Sequence, residues 1–592
     1  PISEVLDANP LVSGPILQLC RWAASYYHHP IGEVLAAALP ARLRLPKPLP
    51  LSKHRVAQTT QNLVAATSPL APPRPTIEQS VVLEGLAALP AGFSVSLIEG
   101  VTGSGKTEIY LRRVAEAISN GAQALMLTAE IGLTPQLVSR FRERFGDAVG
   151  VFHSGMTDKA RTEQWLAAAE GRCKVMIGTR SAVFVPLPDL ALILIDEEHD
   201  ASFKQQDGFR YSARDVAIMR GQQARIPVIL GSATPSLESL HNVRGARYRH
   251  FRLQERVGTR QLPTVSLLDL RGIKLTHGLS PAMLDTTERH LSAGGQVLMF
   301  VNRRGYAPAL LCHDCGWAAQ CPHCDARLTL HRGRGRLICH HCASEARPPT
   351  RCGQCSGASL IPVGQGTERI EDALRERFPD HVIERIDSDR AGRAGEMTRM
   401  LDDIHSGRTR ILVGTQMLAK GHDFERLSLV GVVCADEALY SADFRASERM
   451  GQLLTQVAGR AGRGQLAGEV LVQTHVPQHP VLQGWLREGY AGLTQTLLDE
   501  RRLAGLPPFA HLALIRADAL NATAPLDFLR AAAELIDSAA VETLGPIPAP
   551  MERRANRLRA QLMLRARNRV QLQSLLTELM PQLHALPGAR RA

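Results

Sequence analysis

Eight of the chain's eleven cysteines lie between Cys312 and Cys355 as four C-x2-C pairs: Cys312/Cys315, Cys321/Cys324, Cys339/Cys342 and Cys352/Cys355. Two residues between thiols let both sulfurs turn toward one ion, so each pair is half of a tetrahedral all-cysteine zinc site. Four pairs predict two closed sites, holding two Zn²⁺ with no thiolate left over. Three pairings are open. The nested one joins Cys312, Cys315, Cys352 and Cys355 on one ion and Cys321, Cys324, Cys339 and Cys342 on the other. It keeps the central loop local and closes the block at its base. A sequential pairing, first pair with second and third with fourth, is the alternative. His313, His323, His340 and His341 are expected behind the ligands or exposed, because eight thiolates already fill both tetrahedra. Thiols at this spacing imply a reducing compartment.

The rest of the chain reads as ordinary globular protein, since 44% hydrophobic and 21% charged residues exclude a disordered one. At 592 residues it is too long for a single core, and roughly three to five domains are expected. The net charge of +12, with arginine outnumbering lysine, argues for a polyanionic partner, because cation–phosphate contacts release counterions. A merely arginine-rich solvated surface would give the same charge. Cys20, Cys173 and Cys434 are scattered and expected to be buried or inert. No apolar run approaches the roughly 18–20 residues of a membrane span, and residues 1–30 do not pattern as a signal peptide. A cytoplasmic protein with no membrane partner is therefore expected. Pro1 in place of a starting Met leads us to expect a fragment or an incomplete gene model.

Residues 1–45 repeat apolar positions at helical spacing, and residues 46–75 have the Pro, Ser, Thr and Ala content of a linker. From residue 76, short apolar runs alternate with helical patterns: Val95–Ile98, Ala124–Leu127, Val175–Ile177, Leu192–Ile195 and Val228–Leu230. The pattern resumes at Val297–Val301, Val382–Ile386, Ile411–Val413, Val430–Val433 and Val470–Val472. Such alternation predicts two parallel α/β lobes with their sites at the strand C-termini. The cysteine block interrupts the second lobe. Residues 481–592 read as a separate α+β unit with arginine-rich stretches at 553–559 and 565–569.

Gly100-Val101-Thr102-Gly103-Ser104-Gly105-Lys106-Thr107 follows the first of these strands and fits G-x-x-x-x-G-K-[ST]. Its glycines let backbone N–H groups wrap a phosphate at a helix N-terminus. Lys106 would neutralise β/γ phosphates, and the Thr107 hydroxyl would ligate Mg²⁺. Asp196-Glu197-Glu198-His199 ends the strand Leu192–Ile195; Asp196 is expected to hold Mg²⁺ and Glu197 to polarise an attacking water. The pair of motifs predicts an ATP-hydrolysing site. Gly231-Ser232-Ala233-Thr234 would couple that site to a moving neighbour. Gln456-Val457-Ala458-Gly459-Arg460-Ala461-Gly462-Arg463 offers Arg460 and Arg463 as arginine fingers. Just beyond the acids, residues 203–214 place Phe203, Phe209 and Tyr211 in a polar stretch, although aromatics make up only 4% of the chain. Three rings so close in a polar loop are expected outside the core, stacking on bases, with Lys204, Arg210 and Arg214 holding phosphates.

Together with Gly414-Thr415 and Lys420-Gly421-His422-Asp423, these motifs resemble those of superfamily 2 helicases and translocases, which close two RecA-like lobes on ATP. By that resemblance Gln79 is the adenine reader. Longer strings are more specific: Ala129-Glu130-Ile131-Gly132-Leu133-Thr134-Pro135-Gln136, His153-Ser154-Gly155, Gly178-Thr179-Arg180-Ser181-Ala182, Asn302-Arg303-Arg304-Gly305-Tyr306-Ala307-Pro308, Gly366-Thr367-Glu368 and residues 414–424. With the cysteines between the third-last and second-last of these landmarks in the chain, the sequence resembles the PriA (primosomal protein N′) family of bacterial replication-restart helicases. The resemblance runs from residue 76 to about 550, and residues 22–34 are similar to the end of that family's N-terminal DNA-binding domain.

The resemblance implies a 3′→5′ DNA helicase that recognises abandoned forks and D-loops and starts primosome assembly at the nucleoid. It also implies DNA contacts at Arg180, Arg303, Arg304 and Lys420, and the nested zinc pairing. Expected partners are forked and single-stranded DNA, single-stranded DNA-binding protein, and primosome and helicase-loading proteins, for a monomer using ATP, Mg²⁺ and two Zn²⁺. A double-stranded DNA translocase and a fork-binding scaffold are the competing readings. Metal would fold the insert, which is poor in large apolar residues, and Arg327, Arg332, Arg334 and Arg336 on it would wedge a duplex or dock partners.

The expected fold is α/β: two RecA-like lobes, a two-zinc insertion, an N-terminal DNA-binding remnant and an α+β C-terminal domain. The boundaries expected are 1–45 for the remnant, 46–75 for the linker and 76–244 for the first lobe. The second lobe takes 245–309 and 360–480 around an insertion at 310–359, and 481–592 form the C-terminal DNA- and partner-binding domain. Against the family's pattern, most of the N-terminal domain would precede residue 1, and a winged helix would be replaced by the linker. Residues 553–559 lack expected tryptophans and the chain ends early, which weakens DNA recognition there.

Overall fold

Strands that are apolar on both faces need helices on both sides, and that requirement sets the architecture of each lobe. The computed structural model describes residues 10–45, 73–129, 134–256, 263–301, 310–323, 328–331, 335–339, 344–362, 367–386, 396–414, 424–433, 435–441, 443–462, 466–521, 523–554 and 556–589. They fall into two compact units, Pro1–Gly258 and Thr259–Ala592.

In the first unit, β1 (Val95–Gly100), β2 (Gln123–Leu127), β3 (Val149–Phe152), β4 (Val175–Gly178), β5 (Leu190–Asp196), β6 (Val228–Ser232) and β7 (Arg249–Leu253) form one sheet. Its order is β3-β4-β2-β5-β6-β1-β7, parallel throughout. The period-two alternation divides each strand between two cores. Leu97, Leu125, Leu127, Ile193 and Ile195 face one. Ile98, Ala124, Met126, Leu192 and Leu194 face the other, beneath α3 (Ile77–Ala87), α4 (Lys106–Ser119) and α5 (Thr134–Phe145).

Two expectations change here. Strand β7 pairs with β1, so the first lobe extends past residue 244. Only alternate residues of Arg249-His250-Phe251-Arg252-Leu253 are apolar, which hid an edge strand from a search for apolar runs. The N-terminal segment, helical as expected in α1 (Gly14–Tyr26) and α2 (Ile31–Ala38), is also not a separate body. Ile16, Leu19, Cys20, Ala23, Val34 and Ala38 join the first lobe's core beside Phe184 and Ala217 of helix Ala213–Ala224.

The second unit carries β8 (Thr264–Asp269) and β9 (Gln296–Phe300), then the small strands β10 (Leu310–Cys312), β11 (Leu328–His331), β12 (Arg336–Cys339), β13 (Glu345–Ala346) and β14 (Leu360–Pro362). It continues with β15 (Val382–Ile386), β16 (Thr409–Gly414), β17 (Leu427–Val432) and β18 (Glu469–Thr474). The large parallel sheet runs β15-β16-β9-β17-β18-β8. As expected, the cysteine block inserts into it: β10 and β14 pair antiparallel at the base, and β11, β12 and β13 form a meander beyond. Helix Pro480–Leu503, broken at Gly489 (φ 61°) into two segments, packs on helix Ala446–Ala458, with Leu493 against Gly451, the Trp485 indole donating to Thr455 Oγ1 at 2.9 Å, and Arg501 paired to Glu448 at 2.6 Å. The structural boundary therefore falls after this helix rather than at 481. Beyond it, β19 (His511–Ala519), β20 (Val541–Arg554) and β21 (Arg557–Ala566) make an antiparallel sheet, covered by helices Ala524–Glu534 and Arg569–Ala585 around one core. Among the described residues no helix is long and apolar enough to cross a membrane.

Candidate active site and metal centre

The turns after β1, β5 and β6 share one edge of the first sheet because β6 lies between the other two. Gly105 takes φ 79°, a left-handed conformation open to glycine, and α4 starts at the next residue, so the loop's last N–H groups stand at a helix N-terminus. Lys106 Nζ donates to the Gly100 carbonyl at 2.7 Å. Ser104 Oγ is buried and has no hydrogen-bond partner among the described residues. Thr102, Gly103 and Thr107 complete the loop, with Thr107 in the first turn of α4.

Gln79 is buried and committed locally. It closes a capping box with Thr76, accepting from Thr76 N at 3.0 Å, and its amide donates to the Ser104 carbonyl at 2.9 Å. The side chain expected to read adenine thus grips the phosphate loop.

Asp196 ends β5, and its Oδ1 accepts from the Tyr110 hydroxyl at 3.0 Å. Tyr110 reaches it across β6 at Gly231, where a methyl group would overlap the tyrosine oxygen. Burial pushes the Asp196 carboxyl up to about 6, with the neighbouring Glu197 charge adding and Lys106 and the Tyr110 hydroxyl opposing. Glu197 follows with φ 50°, unusual for a side-chain-bearing residue, and its Oε2 is buried without a hydrogen bond. A cradle of N–H groups, a lysine, two adjacent carboxylates and two buried oxygens without a hydrogen bond among the described residues fit a triphosphate with its magnesium and a water.

The rest of the acidic motif is wired to the end of β6. His199 Nδ1 lies 2.8 Å from Ser232 Oγ, and its Nε2 lies 3.4 Å from Thr234 Oγ1. Glu198, 1% exposed, accepts from Ser236 N at 2.7 Å, Ser239 Oγ at 3.0 Å and Arg214 Nη1 at 2.9 Å. Sequence reasoning missed Glu198 as a hub. A third acid inside an apolar-flanked motif, followed by Ser236 before a helix, was its signal.

Arg214, expected to hold phosphate, is instead the counter-ion of buried Glu198. The aromatic segment is corrected too: Phe203, Phe209 and Tyr211 are 3%, 5% and 4% exposed and belong to the core. Phe209 stacks on Tyr211 at 4.7 Å between centroids, meets Tyr27 edge-on at 5.8 Å and stacks with His29 at 5.3 Å. The N-terminal segment therefore covers rings that would otherwise face solvent, and the Ser212 N–H donates to the Tyr27 hydroxyl at 3.1 Å. Arg180 braces the same segment, donating to the Ser202 carbonyl at 2.9 Å. Lys204 and Arg210 are exposed, with Lys204 Nζ donating to the Arg210 carbonyl at 2.8 Å and lying 5.0 Å over the Tyr27 ring. In the second unit Arg460 is buried just past helix Ala446–Ala458. Arg463, Arg303, Arg304 and Lys420 lie outside the described residues.

Of the insertion's thiols, Cys312, Cys315, Cys352 and Cys355 gather with all four sulfurs within 4.8 Å of one another. Cys312 and Cys355 are 3.6 Å apart, as are Cys315 and Cys352. The N–H groups of Gln354 and Cys355 donate to Cys352 Sγ at 3.3 and 3.5 Å, the knuckle geometry that supports a metal-bound thiolate. Burial works against ionisation of Cys352, but these donors and the neighbouring thiols draw it down to about 7. Four converging sulfurs fit a closed tetrahedral zinc site, and they exclude the sequential pairing. Cys321 and Cys339 are buried together in the insert's small core; Cys324 and Cys342 lie outside the described residues. His313 is not a ligand: its Nδ1 lies 2.9 Å from His475 Nε2, and His475 Nδ1 lies 2.7 Å from Asp436. His323 is exposed, while His340 and His341, like Arg327, Arg332 and Arg334, fall outside the described residues.

Five family models match separate stretches of the chain. Residues 79–243 match the DEAD/DEAH box helicase model, and residues 355–465 match the helicase conserved C-terminal domain. Residues 1–40 match a 3′ DNA-binding domain, 321–347 the PriA DNA helicase Cys-rich region domain, and 502–592 the primosomal protein N C-terminal domain. Among curated proteins, the chain is 46% identical over 491 residues to the replication restart protein PriA of Haemophilus influenzae, covering 82% of this chain and 67% of that protein. The protein of the same name from Bacillus subtilis is 39% identical over 497 residues, covering 82% of this chain and 61% of its own length. That of Rickettsia felis is 34% identical over 579 residues, covering 97% and 87%.

Proposed function

The chain belongs to the replication restart protein PriA family and carries both of its helicase domains, and on that premise we propose an ATP-dependent 3′→5′ DNA helicase that recognises stalled or abandoned forks and D-loops and initiates primosome assembly. The observation that carries the motor reading is Glu197: a carboxylate oxygen buried without a hydrogen bond, 3.6 Å from His199 Nδ1, on a left-handed backbone, next to Asp196 and across from the phosphate loop.

In this reading Lys106 exchanges the Gly100 carbonyl for the β/γ phosphates when ATP enters, and Ser104 Oγ and the loop N–H groups find acceptors. Thr107 and Asp196 would hold magnesium, which supplies charge neutralisation of the phosphate oxygens when bound. Glu197 orients the attacking water and takes its proton. Gln79 carries loop rearrangement into α3, while His199 and Glu198 carry it into the Ser232–Ser239 segment. Arg460 and Arg463 act as arginine fingers toward the transferring phosphate.

Strand contacts are assigned to the exposed Lys204 and Arg210 and to Arg303, Arg304 and Lys420. A second zinc is assigned to Cys321, Cys324, Cys339 and Cys342. Single-stranded DNA-binding protein and primosome or helicase-loading proteins are the expected partners, with action at the nucleoid. ATPase measured with and without single-stranded DNA tests the motor, and no stimulation by DNA would contradict it. Lys106→Ala should abolish hydrolysis and leave fork binding largely intact; loss of both would contradict the role given to Lys106.

A further inference from the structure

A cavity of about 300 Å³ lies where the first zinc site meets the end of β18, entirely within the second unit. Its walls include Trp317, Gln320 and Gln354 from the insertion and Gln478, His479 and Arg271 from the lobe. Zinc-site geometry builds it. Trp317 directly follows the first knuckle, with its carbonyl accepting from Cys312 N at 2.7 Å, and Gly316 N donates to the Cys312 carbonyl at 2.9 Å. Gly316 itself has φ 79° and lies so close to the His475 carbonyl that a side chain would overlap it, while the Tyr440 hydroxyl donates to its carbonyl at 3.2 Å. The Trp317 ring extends across to the second knuckle, where a methyl at Gly353 would come within 3.2 Å of it. The next residue, Gln354, is exposed at the cavity wall.

Charge decides what such a cavity takes. Its guanidinium is already closed in a pair with Asp269, Nε to Oδ1 at 2.9 Å and Nη2 to Oδ2 at 2.5 Å. A carboxylate or phosphate would therefore find no uncompensated cation in this pair. What remains is an indole, three carboxamides, the Tyr440 phenol and the imidazoles of His475 and His479, a set that offers stacking together with both donors and acceptors. That is the recognition chemistry of an unpaired nucleobase. Resting on the helicase reading above, we propose that the first zinc site builds a pocket for one unstacked base of the separated DNA, with Trp317 as the stacking platform and Gln354 on its edge.

The test uses the full chain and a forked DNA carrying 2-aminopurine at successive positions on either side of the junction. Binding should quench the fluorescence at a particular position. Trp317→Ala should abolish that quench and weaken single-strand binding by about fivefold or more, whereas Trp317→Phe should keep it. Unchanged zinc content would establish that the alanine variant still folds its site. Gln354→Ala, which truncates an exposed side chain, should weaken the quench with zinc content unchanged. An identical quench in Trp317→Ala, or none at any position with the unsubstituted protein, would overturn the pocket. So would a Trp317→Ala defect confined to binding an acidic peptide. Normal DNA binding and DNA-stimulated ATPase alongside an absent quench would refute the pocket alone; absence of both activities would refute the motor reading beneath it.

Discussion

Asp196 is buried and stands against a second carboxylate, and that placement has a cost that the Tyr110 hydroxyl and Lys106 only partly offset. Its folded pKa of about 6 lies above the ordinary value of 3.8, so between these limits the folded chain holds a proton that the unfolded chain has released. Stability from this group is complete below about 4, falls as pH rises through 6, and stays reduced above that. Replacing Asp196 by Asn removes the penalty. Without magnesium at pH 7.5, Asp196→Asn should raise the unfolding free energy of the first unit by on the order of 2 kcal/mol. At pH 4 the difference should vanish. Chemical denaturation at the two pH values measures it, and an equal gain at both would mean the carboxylate is not the source. Catalysis should be lost at either pH, since Asn cannot ionise. The same residue illustrates what sequence could reveal: the phosphate loop and acidic motif were legible because contiguous residues carry them. Its partner Tyr110 was not, because its approach depends on Gly231, a residue on another strand.

At the scale of elements, the segment from Phe203 to Arg214 shows how composition misleads about burial. Polar neighbours and three rings read as an exposed stacking surface, yet the rings are sealed by Tyr27 and His29, far earlier in the chain. No local pattern contains that contact. The strands, by contrast, were legible run by run, because a parallel strand buried on both faces is apolar at nearly every position. The exceptions were three edge strands, half-apolar β7 and β8 and the short β3, which carry too few such positions. The aromatic packing makes a direct prediction. Phe209→Ala leaves a void among Tyr27, His29, Phe184 and Tyr211, and should destabilise the first unit by about 3 kcal/mol. Removing an exposed base-stacking ring would instead lower DNA affinity and leave stability unchanged. Denaturation midpoints of Phe209→Ala against the unsubstituted protein separate these outcomes.

Across the molecule, modular order was legible from motif order: a phosphate-loop lobe, a second lobe split by cysteines, then an α+β unit. What sequence could not supply was which body each connecting helix joins. α1 and α2 belong to the first lobe's core, and helix Pro480–Leu503 belongs with helix Ala446–Ala458, through contacts that only close in three dimensions. Two compact units with separate cores should unfold in two steps, and the zinc sites give a way to label one of them. Metal that binds only the folded insert adds its binding free energy to the second unit alone. On the proposed two-zinc reading, Cys312→Ser should remove one of two equivalents of zinc, since its sulfur converges with those of Cys315, Cys352 and Cys355 on one site. It should lower the unfolding midpoint of the second unit and leave the first unmoved. Adding Cys355→Ser should cause little further loss, because the ion is already gone and the two substitutions act on one site. Zinc quantitation with calorimetry reads both effects. Loss of both ions from Cys312→Ser, or an equal shift of both transitions, would contradict nested sites confined to the second unit.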